Sequence, residues 1–246
     1  MKYLVTSALP YANAPLHLGH VLEIVQTDVW VRQKNLSNEE ALYFCASDTH
    51  GTPIMLKAKE MNVTPEELIK DIHEKHHQTF KNFNVKLANF HSTHSDENKH
   101  LTSEIFQNAI KNKYIHKKEI SQLYDETEQI FLADRFVKGS CPACGAEEQY
   151  GDACEKCGST YDALELKNPI SVLSNTAPVV KESEHYFFKL NEFNAFLKEN
   201  VQKISNQTPI KAKLDEWLNE DLRDWDVSRD EPYFGFNVPG EDSKYI

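Results

Sequence analysis

Between an apolar, β-rich run, Lys2-Tyr-Leu-Val-Thr-Ser7, and a stretch of helical spacing, Val21 to Gln33, stands Leu9-Pro-Tyr-Ala-Asn-Ala-Pro-Leu-His-Leu-Gly-His20. Apolar Val21, Leu22, Val25, Val29 and Trp30 recur at the helical period. The order is therefore strand, loop, helix. It puts His17 and His20 in the first helical turn, three apart and on one face. Free N–H groups at that end of a helix attract anions. Gly19 between them carries no side chain, so a flat group can lie against the backbone there. Two imidazoles, bare amides and a flat resting place suit a nucleoside triphosphate. The plainer alternative is a pair of surface histidines that open a helix.

At 246 residues the chain has room for one large domain or two smaller ones. No apolar run approaches the roughly 18 residues of a membrane helix, and the N-terminus enters a strand pattern without a signal peptide. A cytosolic protein with no membrane partner is expected. The net charge of −11 argues against a surface devoted wholly to nucleic acid, but leaves room for a local basic patch.

Leu42 to Ala46 is a short apolar run bounded by turn residues, which predicts a buried parallel strand, with Cys45 as a small core residue. Ser47-Asp-Thr-His-Gly-Thr-Pro53 follows, at the end of the strand where open α/β sheets bind ligands. Pro53 opens a helix through Met61, and Thr64-Pro-Glu-Glu67 caps another through Asn82. His73, His76 and His77 on that helix read as a solvated face. Leu87–His91 is a third strand, and Asp96–Lys113 is helical. Alternating strands and helices over the first 112 residues indicate a parallel, doubly wound sheet. Then the pattern changes. Ile120–Tyr124 and Gln129–Leu132 suggest a hairpin, Pro169–Val180 and His185–Leu190 further strands, and Asn191–Lys203 and Pro209–Leu222 amphipathic helices. Residues 224–246 are aromatic and irregular.

Four of the five cysteines form Cys141-x2-Cys144-x9-Cys154-x2-Cys157. Two C-x-x-C hooks, each followed by glycine, each curl around one side of a tetrahedral ion, and four thiolates favour zinc. A closed set leaves no position for catalytic water, so one structural Zn2+ is expected. The polar loop between the hooks has too little apolar content to hold itself.

H-x-G-H after a strand resembles the signature of the class I aminoacyl-tRNA synthetases and their nucleotidyltransferase relatives. Within that class four motifs resemble the methionyl-tRNA synthetases: residues 8–20, Asp48-Thr-His-Gly-Thr-Pro-Ile54, the cysteine quartet, and Trp225-Asp-Val-Ser-Arg-Asp-Glu-Pro-Tyr-Phe-Gly235. The resemblance implies an α/β chain: residues 1–112 as the first half of a Rossmann-like nucleotide-binding fold, 113–222 as an inserted connective domain with a zinc knuckle, and 223–246 as the start of the second half. It implies methionine–tRNA ligase activity, in which methionine and ATP with Mg2+ give methionyl-adenylate, and the methionyl group then passes to tRNA(Met). By the same resemblance His17 and His20 would stabilise the reacting phosphate, and Asn13 and Gly19 would hold ATP. Asp48 would bind the methionine ammonium, Leu9 and Tyr11 would line the thioether pocket, and Trp225 and Arg229 would sit near Asp48.

The family's second ATP signature, Lys-Met-Ser-Lys-Ser, is absent from these residues, so this chain alone is expected neither to activate methionine nor to charge tRNA. Two alternatives stand beside this reading: another H-x-G-H synthetase or nucleotidyltransferase, and a non-catalytic, zinc-dependent binding remnant.

Overall fold

A computed structural model describes residues 1–204, 207–219 and 222–246, leaving aside the side chains of 202 and 204. The chain divides into two compact units: residues 1–104 with 233–236, and residues 105–232 with 237–246.

The first unit contains β1 (Lys2–Thr6), α1 (Leu18–Leu36), β2 (Glu40–Ser47), α2 (Thr52–Met61), α3 (Pro65–Asn82) and β3 (Asn89–Ser92), and α4 (Asp96–Lys111) begins in it. The three strands form a parallel sheet in the order β1-β2-β3, with Lys2 opposite Glu40 and Phe44 opposite Asn89. Parallel neighbours need long crossovers. Here α1 joins β1 to β2, and α2 with α3 joins β2 to β3. The start of α3 is built from its own sequence. The Glu67 N–H donates to the Thr64 hydroxyl at 3.2 Å, the Thr64 N–H donates to the Glu67 carboxylate at 2.9 Å, and Pro65 takes the first helical position.

Two sequence expectations change here, for β2 and α3, and the inward face of α1, which the spacing left open, is settled. The β2 run is not buried on both faces: Ala41, Tyr43, Cys45 and Ser47 are buried, but Leu42 is 46% exposed. A strand with one covered face alternates. On α1, Leu22, Val29 and Trp30 are exposed, and Ile24, Asp28 and Val31 face inward at helical spacing. The buried Asp28 carboxylate is satisfied by Arg32 Nε at 2.6 Å and the Lys86 N–H at 3.0 Å. On α3 the expected solvated face holds for His77, which is exposed, but not for His73, which is half-buried, or for His76. His76 is fully buried, because it continues the Ile69, Ile72, Phe80 stripe at spacings of three and four.

The second unit contains β4 (Ile115–Asp125), β5 (Ile130–Phe131), β6 (Val137–Ser140), β7 (Gln149–Tyr150), β8 (Lys167–Ser171), β9 (Val179–Phe188), α5 (Asn194–Ile204), α6 (Thr208–Asn219), β10 (Trp225–Asp226), β11 (Arg229–Asp230) and β12 (Lys244–Tyr245). Among the described residues all its strand pairings are antiparallel, with sheet orders β10-β9-β4-β5, β7-β6-β8 and β11-β12. The predicted hairpin is a minor part of this. β4 pairs with β5 at only Tyr124 and Asp125, but with β9 from Ile115 to Tyr124. The predicted helix 209–222 ends at Asn219 as α6, and residues 220 and 221 lie outside the described residues. Leu123, Ile130, Leu132, Val137 and Leu166 form one core cluster of this unit, and Phe106, Tyr186 and Val238 another. Among the described residues no helix is long and apolar enough to cross a membrane.

Candidate functional site

In the first unit the loop after β1 is tied to the carboxyl end of β2 by its backbone. Tyr11 and Asp48 form a parallel bridge, the Ala12 N–H donates to the Asp48 carbonyl at 2.7 Å, and the Asp48 N–H donates to the Pro10 carbonyl at 2.9 Å. The loop and Asp48 thus lie together at the carboxyl end of the sheet. Asp48 is half-buried, and burial raises its carboxyl above the ordinary range against two backbone hydrogen bonds that lower it. An ammonium partner would reverse that shift. Tyr11 is half-buried with its hydroxyl donating to the His50 carbonyl at 2.9 Å, and burial, Asp48 and Tyr233 raise its pKa. Gly51 is required at its position: its φ is +115°, and a Cβ there would meet the Tyr11 hydroxyl at 3.0 Å. Leu9 is 41% exposed and Asn13 is exposed, both open to a ligand.

His17 is the cap residue of α1, one position before the helix, and His20 lies in its first turn. The Gly19 N–H donates to His17 Nδ1 at 3.1 Å, and the His17 N–H donates to His20 Nδ1 over a longer 3.4 Å. Each Nδ1 is therefore an acceptor, and each ring carries its proton on Nε2, leaving Nε2–H free to donate. The rings stack with centroids 3.7 Å apart. Burial, then the neighbouring His17, lowers the His20 pKa, which keeps that ring neutral. A Cβ at Gly19 would meet His17 Cε1 at 2.9 Å, so the glycine lets the His17 ring fold back over the helix end.

Sequence reasoning passed over the groups that hold this loop. The Glu23 carboxylate accepts the Ala8 N–H at 2.9 Å. His76 Nε2 donates to the Ala14 carbonyl at 2.9 Å, which leaves Nδ1 to accept from the buried Ser47 hydroxyl at 3.4 Å. Ser47 also meets His73 Nδ1 at 3.0 Å. His50 Nε2 lies 3.0 Å from His94 Nδ1, and burial followed by His94 drives His50 down to about 4. The spacing of His76 from Ile72 and Phe80 is a signal that could have found it; the His50–His94 pair has none.

Trp225 and Arg229 lie in the second unit. Trp225 is 61% exposed and pairs with Phe188 across β10 and β9. Arg229 Nη1 donates to the carbonyls of Ser228, at 2.5 Å, and Asp226, at 3.3 Å, and lies 3.6 Å from Asp226 Oδ1.

The four sulfurs of Cys141, Cys144, Cys154 and Cys157 lie within 4.8 Å of one another, with Cys141–Cys157 at 3.9 Å and Cys144–Cys154 at 3.6 Å. A tetrahedral ion about 2.3 Å from each sulfur sets them roughly 3.8 Å apart, so the quartet fits one zinc ion. The hooks repeat one geometry. The Cys144 N–H points to Cys141 Sγ at 3.5 Å and the Cys157 N–H to Cys154 Sγ at 3.4 Å, while Gly145 and Gly158 both take φ +74°. Each donor adds its dipole to a thiolate that a metal would hold deprotonated.

Comparison with known proteins agrees with this architecture. Two solved structures of Mycobacterium tuberculosis methionyl-tRNA synthetase, one bound by methionyl-adenylate and one in complex with it, match 100% of this chain at TM-scores of 0.73 and 0.74 and 19% identity. The chain spans 44% of the length of each. At that identity the likeness establishes the fold: an α/β chain with a Rossmann-like parallel sheet and a four-cysteine knuckle. A family model described as "tRNA synthetases class I (M)" matches residues 3–246, and on that match over nearly its whole length the chain belongs to this family of class I tRNA synthetases.

Proposed function

We propose that this chain is the nucleotide- and amino-acid-binding part of a cytosolic methionine–tRNA ligase. The observation that carries the reading is the tie between the His17–His20 loop and Asp48. The loop that leads into two Nε2–H donors at a helix end is bonded, at residues 10–12, to the backbone of a half-buried aspartate. That is what condensing an amino acid with ATP asks for. Attack of a carboxylate on the α-phosphate builds negative charge on phosphoryl oxygens, and preorganised donors aimed there lower the barrier without a covalent enzyme intermediate. His17 and His20 supply those donors, and Asn13 and Gly19 border the ATP. Asp48 receives the ammonium of methionine, Leu9 and Tyr11 line the thioether pocket, and the motif that carries Trp225 and Arg229 gives those two residues a part in methionine binding by resemblance. Mg2+ accompanies ATP, and tRNA(Met) receives the product. In this reading residues 1–112 and 223–246 belong to the catalytic fold, and residues 113–222 form a connective domain braced by zinc.

Thermal shift with a panel of amino acids tests it. Methionine should raise the melting temperature of the chain, Asp48→Asn should abolish the rise, and leucine and valine should give none. Stabilisation by leucine or valine and not by methionine would assign the site to another H-x-G-H enzyme. No response to any amino acid or to Mg-ATP would favour a binding remnant. Methionine-dependent exchange of pyrophosphate into ATP, assayed on the native gene product that carries this chain, tests the reaction itself.

A further inference from the structure

The second unit contains a buried titratable group that the proposed reaction leaves unused. His185, on β9, is 1% exposed. Its Nδ1 lies 2.7 Å from Asp226 Oδ2, and its Nε2 lies 2.8 Å from Asp230 Oδ2. A carboxylate can only accept, and a neutral imidazole has a single N–H. Two such contacts therefore require a proton on each ring nitrogen: an imidazolium held between two carboxylates. The surroundings favour that charge. Burial alone would lower the His185 pKa, but the bonds to Asp226 and Asp230 outweigh it and raise the pKa. Burial would raise the Asp230 carboxyl, yet His185, Lys244 and Ser183 hold it down at about 2.

The two aspartates bracket residues 226–230, and β9 pins this turn elsewhere too. The Tyr186 N–H donates to Ser228 Oγ at 2.9 Å, the Val227 N–H donates to the Tyr186 carbonyl at 2.9 Å, and Ser183 Oγ donates to Asp230 Oδ1 at 2.9 Å. Lys244 pairs with Asp230 and donates to Ser183 Oγ at 2.7 Å. Inside the turn stands Arg229, its side chain 51% exposed. The two cations share one carboxylate: His185 takes Asp226 Oδ2, and Arg229 lies 3.6 Å from Oδ1. The charged groups around the His185 ring are thus Asp226 on β10, Arg229 and Asp230 on β11, and Lys244 on β12, with Lys118 its register partner on β4.

We propose that His185 is a positioning residue for Arg229: by gripping Asp226 and Asp230 together it fixes the turn on which the guanidinium stands. The proposal rests on the reading of Arg229 as a methionine-site residue, since that gives a fixed guanidinium its use.

Nitrogen-15 NMR of the full chain tests it. In the wild type at pH 7 the His185 ring should show two protonated nitrogens, and the Arg229 Nη1 hydrogens, bonded to the Ser228 and Asp226 carbonyls, should exchange slowly with water. In folded His185→Gln the Arg229 exchange should quicken by about tenfold or more, as local order is lost, and the Kd for methionine should rise by a similar factor. A single ring proton in the wild type at pH 7, or unchanged Arg229 exchange in H185Q, overturns the proposal. Should H185Q fail to fold, alkaline titration of the wild type replaces it. Arg229 exchange must then step up at the pH where His185 loses its proton, and a smooth rise with hydroxide alone overturns the proposal. A wild type that binds no methionine but gives the expected Arg229 response refutes the functional reading and leaves the positioning role standing.

Discussion

His76 in the first unit and His185 in the second are buried to the same degree, at 0% and 1% exposure. Their pKa values move in opposite directions. Burial lowers His76, against one raising bond to the Ala14 carbonyl; two carboxylates raise His185 in spite of burial. His76 has a carbonyl and a hydroxyl as partners, which a neutral ring satisfies with one donor and one acceptor. His185 has two acceptors, which only a cation satisfies. Depth in the fold sets the cost of a charge, but the partners decide whether the charge is kept. The contrast extends to the units around them. The loop of the first unit is held by backbone bonds to Asp48, by the neutral His76 ring and by a Glu23 carboxylate that has only a backbone N–H as its partner, while the second unit brings opposite charges together: an imidazolium between carboxylates, and four cysteines spaced to hold a cation as thiolates.

The sharpest way to break this comparison is chelation. Structural zinc contributes on the order of 10 kcal/mol in small zinc-binding peptides. Excess chelator at pH 7 should therefore strip amide protection from residues 137–171, around Val137 and Leu166, and leave the sheet of residues 1–104 protected. Hydrogen exchange reads both, and equal loss in the two units would erase the distinction. Next in size, His185→Leu removes the cation that Asp226 and Asp230 share, leaving them only Arg229 and Lys244, and should cost about 3 kcal/mol in urea unfolding. His76→Leu strands only a carbonyl and a hydroxyl and should cost about 1–3 kcal/mol. His76→Gln, which keeps a donor, should recover part of that.

The smallest effect is the slope of stability with pH. His185 has a raised pKa when folded, so its contribution is complete below the unfolded value near 6.5 and is lost as the pH climbs through the folded value. His76 has a lowered pKa when folded, so its contribution is present above about 6.5 and lost as the pH falls. Removing His185 should flatten the alkaline side of the stability curve, and removing His76 the acidic side. Matching changes from the two variants would mean that partner chemistry does not separate them.

How much of this was legible beforehand follows the distance along the chain between partners. The cap of α3 joins Thr64 to Glu67, and each hook of the quartet spans three residues, so both could be read directly. The parallel sheet was legible because each of its strands leads into a helix. The burial of His76 was legible in its spacing from Ile72 and Phe80, but its partners, Ser47 and Ala14, were not, because they lie 29 and 62 positions away. His185 went unnoticed because Asp226 and Asp230 lie 41 and 45 positions away, across β9 and β10. The long β4–β9 pairing was hidden for the same reason, and a local turn suggested a hairpin that contributes only two residue pairs.

The order of residues by itself determined which elements form, where helices begin, and that four thiols come within reach of one ion. Those depend on groups a few bonds or one helical turn apart. Tertiary structure alone decided which face of α1 turns inward, which histidine stays neutral and which carries a proton. A pKa or a buried face depends on what is packed alongside, and the nearest neighbours in space are supplied by distant parts of the chain.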